Sequence, residues 1–65
     1  MQKIKIVINS GGVVESVYVS AEMAKDTMVE VIDFCTDDEA EIKAADEQME
    51  ELKGEIERKE LKAIY

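Results

Sequence analysis

The chain has 65 residues, and its 16 Asp and Glu against 8 Lys and Arg give a formal charge of −8. Such a field repels nucleic acid and anionic membrane surfaces alike, so neither is expected as a direct partner. A chain this short makes one domain at most, 1–65, and buries only about 60% of the surface its unfolded form exposes, so it needs a staple.

The usual staples are missing. A single cysteine, Cys35, and the absence of histidine exclude an internal disulfide and the common zinc sets. Self-association, most simply as a homodimer, is the staple left over, the alternative being an idealised helix and sheet that stand alone.

From Lys3 to Ile8 the residues alternate, with Ile4, Ile6 and Ile8 on one face of a strand and Lys3, Lys5 and Val7 on the other. The unbroken apolar run Ile6-Val7-Ile8 is far too short for a signal-peptide core or a spanning helix. A cytoplasmic protein is expected, and one unpaired thiol agrees with a reducing compartment.

Next comes Asn9-Ser10-Gly11-Gly12. A phosphate loop would need a longer glycine-rich turn that opens a helix, but here Val13-Val14 starts a second strand, so the glycines are expected to turn a hairpin. Val13, Val17 and Val19 share a face of that strand with Glu15 interrupting it, and the hairpin should align them with Ile4, Ile6 and Ile8.

Ser20 to Thr27 reads as a loop with one helical turn at most. Met28 to Phe34 is β-branched and apolar on both sides, the pattern of a strand covered twice.

At Thr36 the composition shifts: residues 1–35 carry 5 acids and 3 bases, and residues 36–65 carry 11 acids and 5 bases. Thr36 and Glu39 have the spacing of a capping box, and the acids beside them suit the positive end of a helix dipole. Beyond the cap, Ile42, Ala45, Met49, Leu52 and Ile56 recur at intervals of three and four, one stripe down a long helix. That helix should run from Asp37 to about Lys59, where Arg58, Lys59 and Lys62 suit its negative end. Leu61 and Ile64 fall off the stripe, and Gly54 sits opposite it with no evident purpose.

The expected architecture is therefore α+β: a small three-stranded, mainly antiparallel sheet of order β-β-β-α in residues 1–35, with the acidic helix of residues 36–65 packed on one face. At ~35 Å such a helix would overhang strands of ~20–23 Å. Its stripe, Ile42, Ala45, Met49, Leu52 and Ile56, is then the expected dimer interface. The alternative is that a twisted sheet lets the helix bury the whole stripe within one chain.

No catalytic residues are expected, because the acids lie along a solvated helix face and Cys35 lacks a histidine partner. Asp33, Asp37, Asp38, Glu39 and Glu41 cluster at the strand-to-helix joint, but without the glycine and ligand order of a calcium loop they read as cap residues. No metal and no cofactor is expected. Asp46, Glu47, Glu50, Glu51 and Glu55 form the candidate partner-binding face, suited to a basic surface of a host protein; the plain alternative is a soluble acidic surface.

The succession "GGVVESVYV", "VEVIDF" and an acid-rich helix resembles a loose group of short, acidic, uncharacterised open reading frames of Gram-positive bacteria and of their phages and mobile elements. The likeness covers about the first 38 residues. It implies no catalytic residues, and it implies a context in which such proteins are often inhibitors or adaptors of a host protein; the acidic face, as a decoy polyanion, points to one that handles nucleic acid. The loop at Ser20 to Thr27 departs from that pattern and leaves the order of the second and third strands open.

Overall fold

The computed structural model describes residues 1–21 and 25–65. The elements follow as β1 (Gln2–Ile8), β2 (Val14–Ser20), β3 (Thr27–Asp33), α1 (Glu39–Glu57) and β4 (Leu61–Ala63). The strands form one mixed sheet in the order β3-β1-β2-β4, rather than the three-stranded, mainly antiparallel sheet expected from the sequence.

The hairpin is as anticipated, with Ile4 opposite Val19 and Ile6 opposite Val17, but Ile8 faces Val14 instead of Val13. A bulge between Val7 and Ile8 makes the difference, and it explains why Glu15 broke the alternation of β2. In the turn, the Asn9 side-chain oxygen accepts from the N–H groups of Gly11 at 2.9 Å and Val13 at 3.2 Å. The Gly12 N–H donates to the Asn9 carbonyl at 3.0 Å, and Gly12 takes a φ of 80° that an L side chain resists.

The larger correction concerns β3, which pairs with β1 in parallel, from Gln2 with Thr27 to Ile8 with Asp33. Just before β3, the Asp26 carbonyl accepts from the Gln2 N–H at the start of β1 at 2.8 Å. The strand thus lands on the far side of β1 instead of extending the meander. Glu22, Met23 and Ala24, where a helical turn was expected, lie outside the described residues.

The helix is 19 residues long, shorter than the expected 23. It begins two residues late because Asp38, not Thr36, is the N-cap: the Asp38 carboxylate accepts from the Ala40 N–H at 2.9 Å. Thr36 Oγ1 instead accepts from the Asp38 N–H at 3.2 Å and donates to Glu41 at 2.6 Å.

Its C-terminus closes at Arg58 with a Schellman motif, in which the Lys59 N–H reaches Ile56 O at 3.0 Å and the Glu60 N–H reaches Glu55 O at 2.9 Å. The motif needs a left-handed residue, and Lys59 fills that place with a φ of 60°. The chain then doubles back, and Leu61–Ala63 pairs antiparallel with β2.

At ~28 Å, α1 overhangs its ~23 Å strands by little, which removes most of the overhang expected from the sequence. A Cβ at Gly54 would lie 3.0 Å from the tip of the exposed, flexible Arg58 side chain, which can move aside, so nothing in the structure explains the glycine.

The core comprises Val7, Ile32, Ala45, Leu52 and Leu61, with Tyr18, Phe34 and Met49 packed against it. These residues lie between α1 and the sheet face that bears Lys5. Replacing Lys59 with glycine should raise stability by up to about 1 kcal/mol, since glycine adopts left-handed φ without steric cost. Gly12→Ala should lower it by about 1–2 kcal/mol for the opposite reason, and urea denaturation of both variants checks the pair.

Candidate functional site

Alternation gives each strand two faces, and α1 covers the face that a hydrophobicity argument would leave for water. On the covered side Lys5 sits between Glu30 of β3 and Tyr18 of β2, and Val7 pairs with Ile32. Lys5 is 1% exposed. Its ammonium donates a hydrogen bond to Glu55, lies 3.3 Å from Glu30 and reaches Glu51 at 4.0 Å.

Second contacts hold the carboxylates in place: Gln48 Nε2 donates to Glu30 at 2.8 Å, and Lys3 approaches the other Glu55 oxygen at 3.7 Å. No buried side-chain nitrogen or oxygen among the described residues lacks a hydrogen-bond partner. Burial by itself would lower the Lys5 pKa, but the hydrogen bonds and charges of Glu55 and Glu30 outweigh it and hold the pKa above the ordinary lysine value. A lysine so held is a poor nucleophile, because amine catalysis needs the opposite shift.

Glu55 therefore lies apart from the exposed acidic face assigned to it in the sequence reading. It occupies the inward position of the last helical turns that the apolar pattern gave to Ile56, and it is buried with Ala45 and Leu52. Met49 is half-buried on the same line, while Ile42 and Ile56 are 36% and 37% exposed at its margins. Ala45, Met49 and Leu52, assigned to a dimer interface, pack inside their own chain. Asp46, Glu47, Glu50 and Glu51 are exposed. The Lys53–Glu50 pair at 3.7 Å joins side chains 62% and 78% exposed, and such a pair holds little.

The other face of the sheet is aliphatic. Ile4, Ile6 and Ile8 of β1 run down its middle, and Val17 and Val19 of β2 lie beside them, all half-buried yet none of them part of the core. Val29 and Val31 of β3 flank them and are 57% and 47% exposed. Next to Val17, Ile64 is 63% exposed, and its N–H donates to the Val17 carbonyl at 2.8 Å. Among the described residues no element packs on this face.

The remaining features hold less chemistry. A cavity of about 260 Å³ opens beside Lys3, Glu55 and Leu61, smaller than the ~300–1,000 Å³ usual for ligand pockets. At the strand-to-helix joint, Asp33 accepts from the Cys35 N–H at 2.7 Å, Asp38 caps the helix and Glu41 accepts from Thr36. Among the described residues, no group of three or more His, Cys, Asp or Glu is placed to hold a metal ion. No described helix is long and apolar enough to cross a membrane, and Cys35 is exposed.

Comparison with known proteins returns no match to a family model, a curated protein or a solved structure.

Breaking the buried pair on one side should be costly and removing both sides should not. Lys5→Met is expected to destabilise by about 3 kcal/mol, the low end for a severed buried ion pair because Lys3 still faces Glu55. Lys5→Met combined with Glu55→Leu should recover most of that loss. Because the folded pKa of Lys5 is raised, its contribution is complete below the unfolded lysine value of about 10.4 and disappears as pH rises through the folded one. Urea midpoints taken across the alkaline range should fall more steeply for the native chain than for the double variant.

Proposed function

We propose that this chain is a small acidic protein–protein interaction protein that binds through the aliphatic face of its sheet. One observation carries the reading: seven strand residues, three Ile and four Val, stand together on one side of the sheet, and no described element covers them. Contiguous apolar surface of several hundred Å² marks an interaction site when polar residues frame it. The frame is present, since Asp33 ends β3 on one edge of this face and Lys62 of β4 stands opposite Val19 on the other.

A second reading assigns the binding to the outer side of α1. It is favoured by the exposure of Asp46, Glu47, Glu50 and Glu51, whose like-charged spacings disfavour the helix unless something basic meets them. In that reading the protein is an inhibitor or adaptor that occupies the basic surface of a host protein, the context implied by the resemblance to phage and mobile-element sequences.

The two readings separate on a tagged chain used for capture from its native cell extract, supplemented with an untagged copy, at low and high salt. Val29→Lys with Val31→Lys should lower the captured protein at least tenfold with little dependence on salt if the sheet face binds. Charge reversal of Glu47, Glu50 and Glu51, or high salt, should do so if the helix binds. Equal capture by the valine variant and the native chain would end the first reading.

A further inference from the structure

We infer that the partner on the aliphatic face is a second copy of this chain, packed sheet against sheet with the two helices outermost. This rests on the reading of the sheet face as the binding surface, and it names the occupant.

Area is the first argument. The chain exposes 4698 Å², whereas a compact monomer of its 7.3 kDa exposes about 4,200 Å² by the usual scaling. The excess is about 500 Å². Three strands of seven residues and one of three, at ~4.8 Å between strands and ~3.3 Å per residue, make a face of roughly 400 Å² in projection, so the open face accounts for most of the excess. Two copies that cover it remove roughly 800 Å² together, the scale of a weak, concentration-dependent interface between folded chains.

Charge is the second argument, and it separates this dimer from one built on the helices. With a net charge of −8, two copies repel wherever their acidic surfaces meet. Sheet-to-sheet packing sets the sheets ~10 Å apart and leaves each helix on the far side of its own sheet. The two acidic faces are then separated by several times the ~8 Å screening length of physiological salt. The strand residues meeting at the contact are β-branched, and pleated rows of Ile and Val interdigitate best with another pleated row. A twofold contact also places β-branched rows of one sheet on the same rows of the other, so the surface is complementary to itself without a groove or pocket.

Stability is the third. Among the described residues five hydrophobic side chains are buried, a small core for a domain with a single cysteine and, among the described residues, no cluster of metal ligands. Covering Ile4, Ile6 and Val17 with a second copy adds a second core from a partner that is present whenever the chain is.

Sedimentation equilibrium of the full chain over a dilution series tests the inference. The native chain should have twice its 7.3 kDa mass and dissociate only on dilution. Raising salt should not weaken the dimer, and Val31→Lys should raise its dissociation constant at least tenfold while circular dichroism stays native. Glu47→Lys, on the outer side of α1, should leave it unchanged. Should Val31→Lys fail to fold, isotope-filtered NOEs on the native chain replace it, and methyl contacts between labelled and unlabelled copies at Ile6, Val17 and Val31 are the expected result. A strict monomer at millimolar concentration would overturn the inference, as would a dimer whose intermolecular contacts fall on Ile42 and Ile56. A monomer that still loses capture of another protein through the valine variant would leave the sheet face as the binding surface and remove only the second copy.

Discussion

The arrangement depends on the buried contact between Lys5 and Glu55. A sheet with one face lined mainly by Ile and Val and one face bearing two lysines would, on hydrophobic grounds alone, place the aliphatic face beneath the helix. The opposite happens because Lys5 cannot be buried without partners, and Glu55, Glu30 and Glu51 converge on it. A buried ion pair adds little net stability against an apolar substitute, since desolvation offsets most of its attraction. What it supplies is a unique answer. Sliding the helix by one residue removes Glu55 from reach, and turning the sheet over leaves both charges unmatched.

From that pair the layers follow. Val7, Ile32, Ala45, Leu52 and Leu61 fill the space around it, and Tyr18, Phe34 and Met49 close its sides. The acids that face away, Asp46, Glu47 and Glu50 among them, crowd onto the outer side of α1, so the chain is negative on one side and aliphatic on the other. This polarity underlies the proposal that binding takes place through the sheet.

Much of this was legible in the sequence, for identifiable reasons. Strands β1 and β2 and their hairpin showed a period of two and a glycine pair, and the helix showed an apolar stripe, all of which are local signals. The parallel placement of β3 was not legible, because a short connection does not reveal which side of β1 the chain passes. Its apolar character on both sides, the pattern of a strand covered twice, pointed the wrong way: β3 is an edge strand with Ile32 in the core and Val29 and Val31 exposed on the open face. The fourth strand left a trace, in Leu61 and Ile64 falling off the helical stripe. It went unread because the turn before it uses Lys59, where glycine would have announced a helix end. The direction in which the sheet faces was hidden for a deeper reason. Periodicity tells which residues share a side, but only the match of a lysine on one element with a glutamate on another tells which side is inside.

The position of β1 has a consequence for how the molecule forms. It is the first strand of the chain and a central one in the sheet, bonded on one side to a hairpin neighbour and on the other to β3, and its lysine meets a carboxylate 50 residues away. The hairpin can close early, because its ends are near in sequence. The parallel pairing and the buried ion pair must await distant segments, and closing such long loops slows folding. Until α1 arrives, Lys5 can remain hydrated on an open sheet, which makes the desolvation of one ammonium group a late event in assembly.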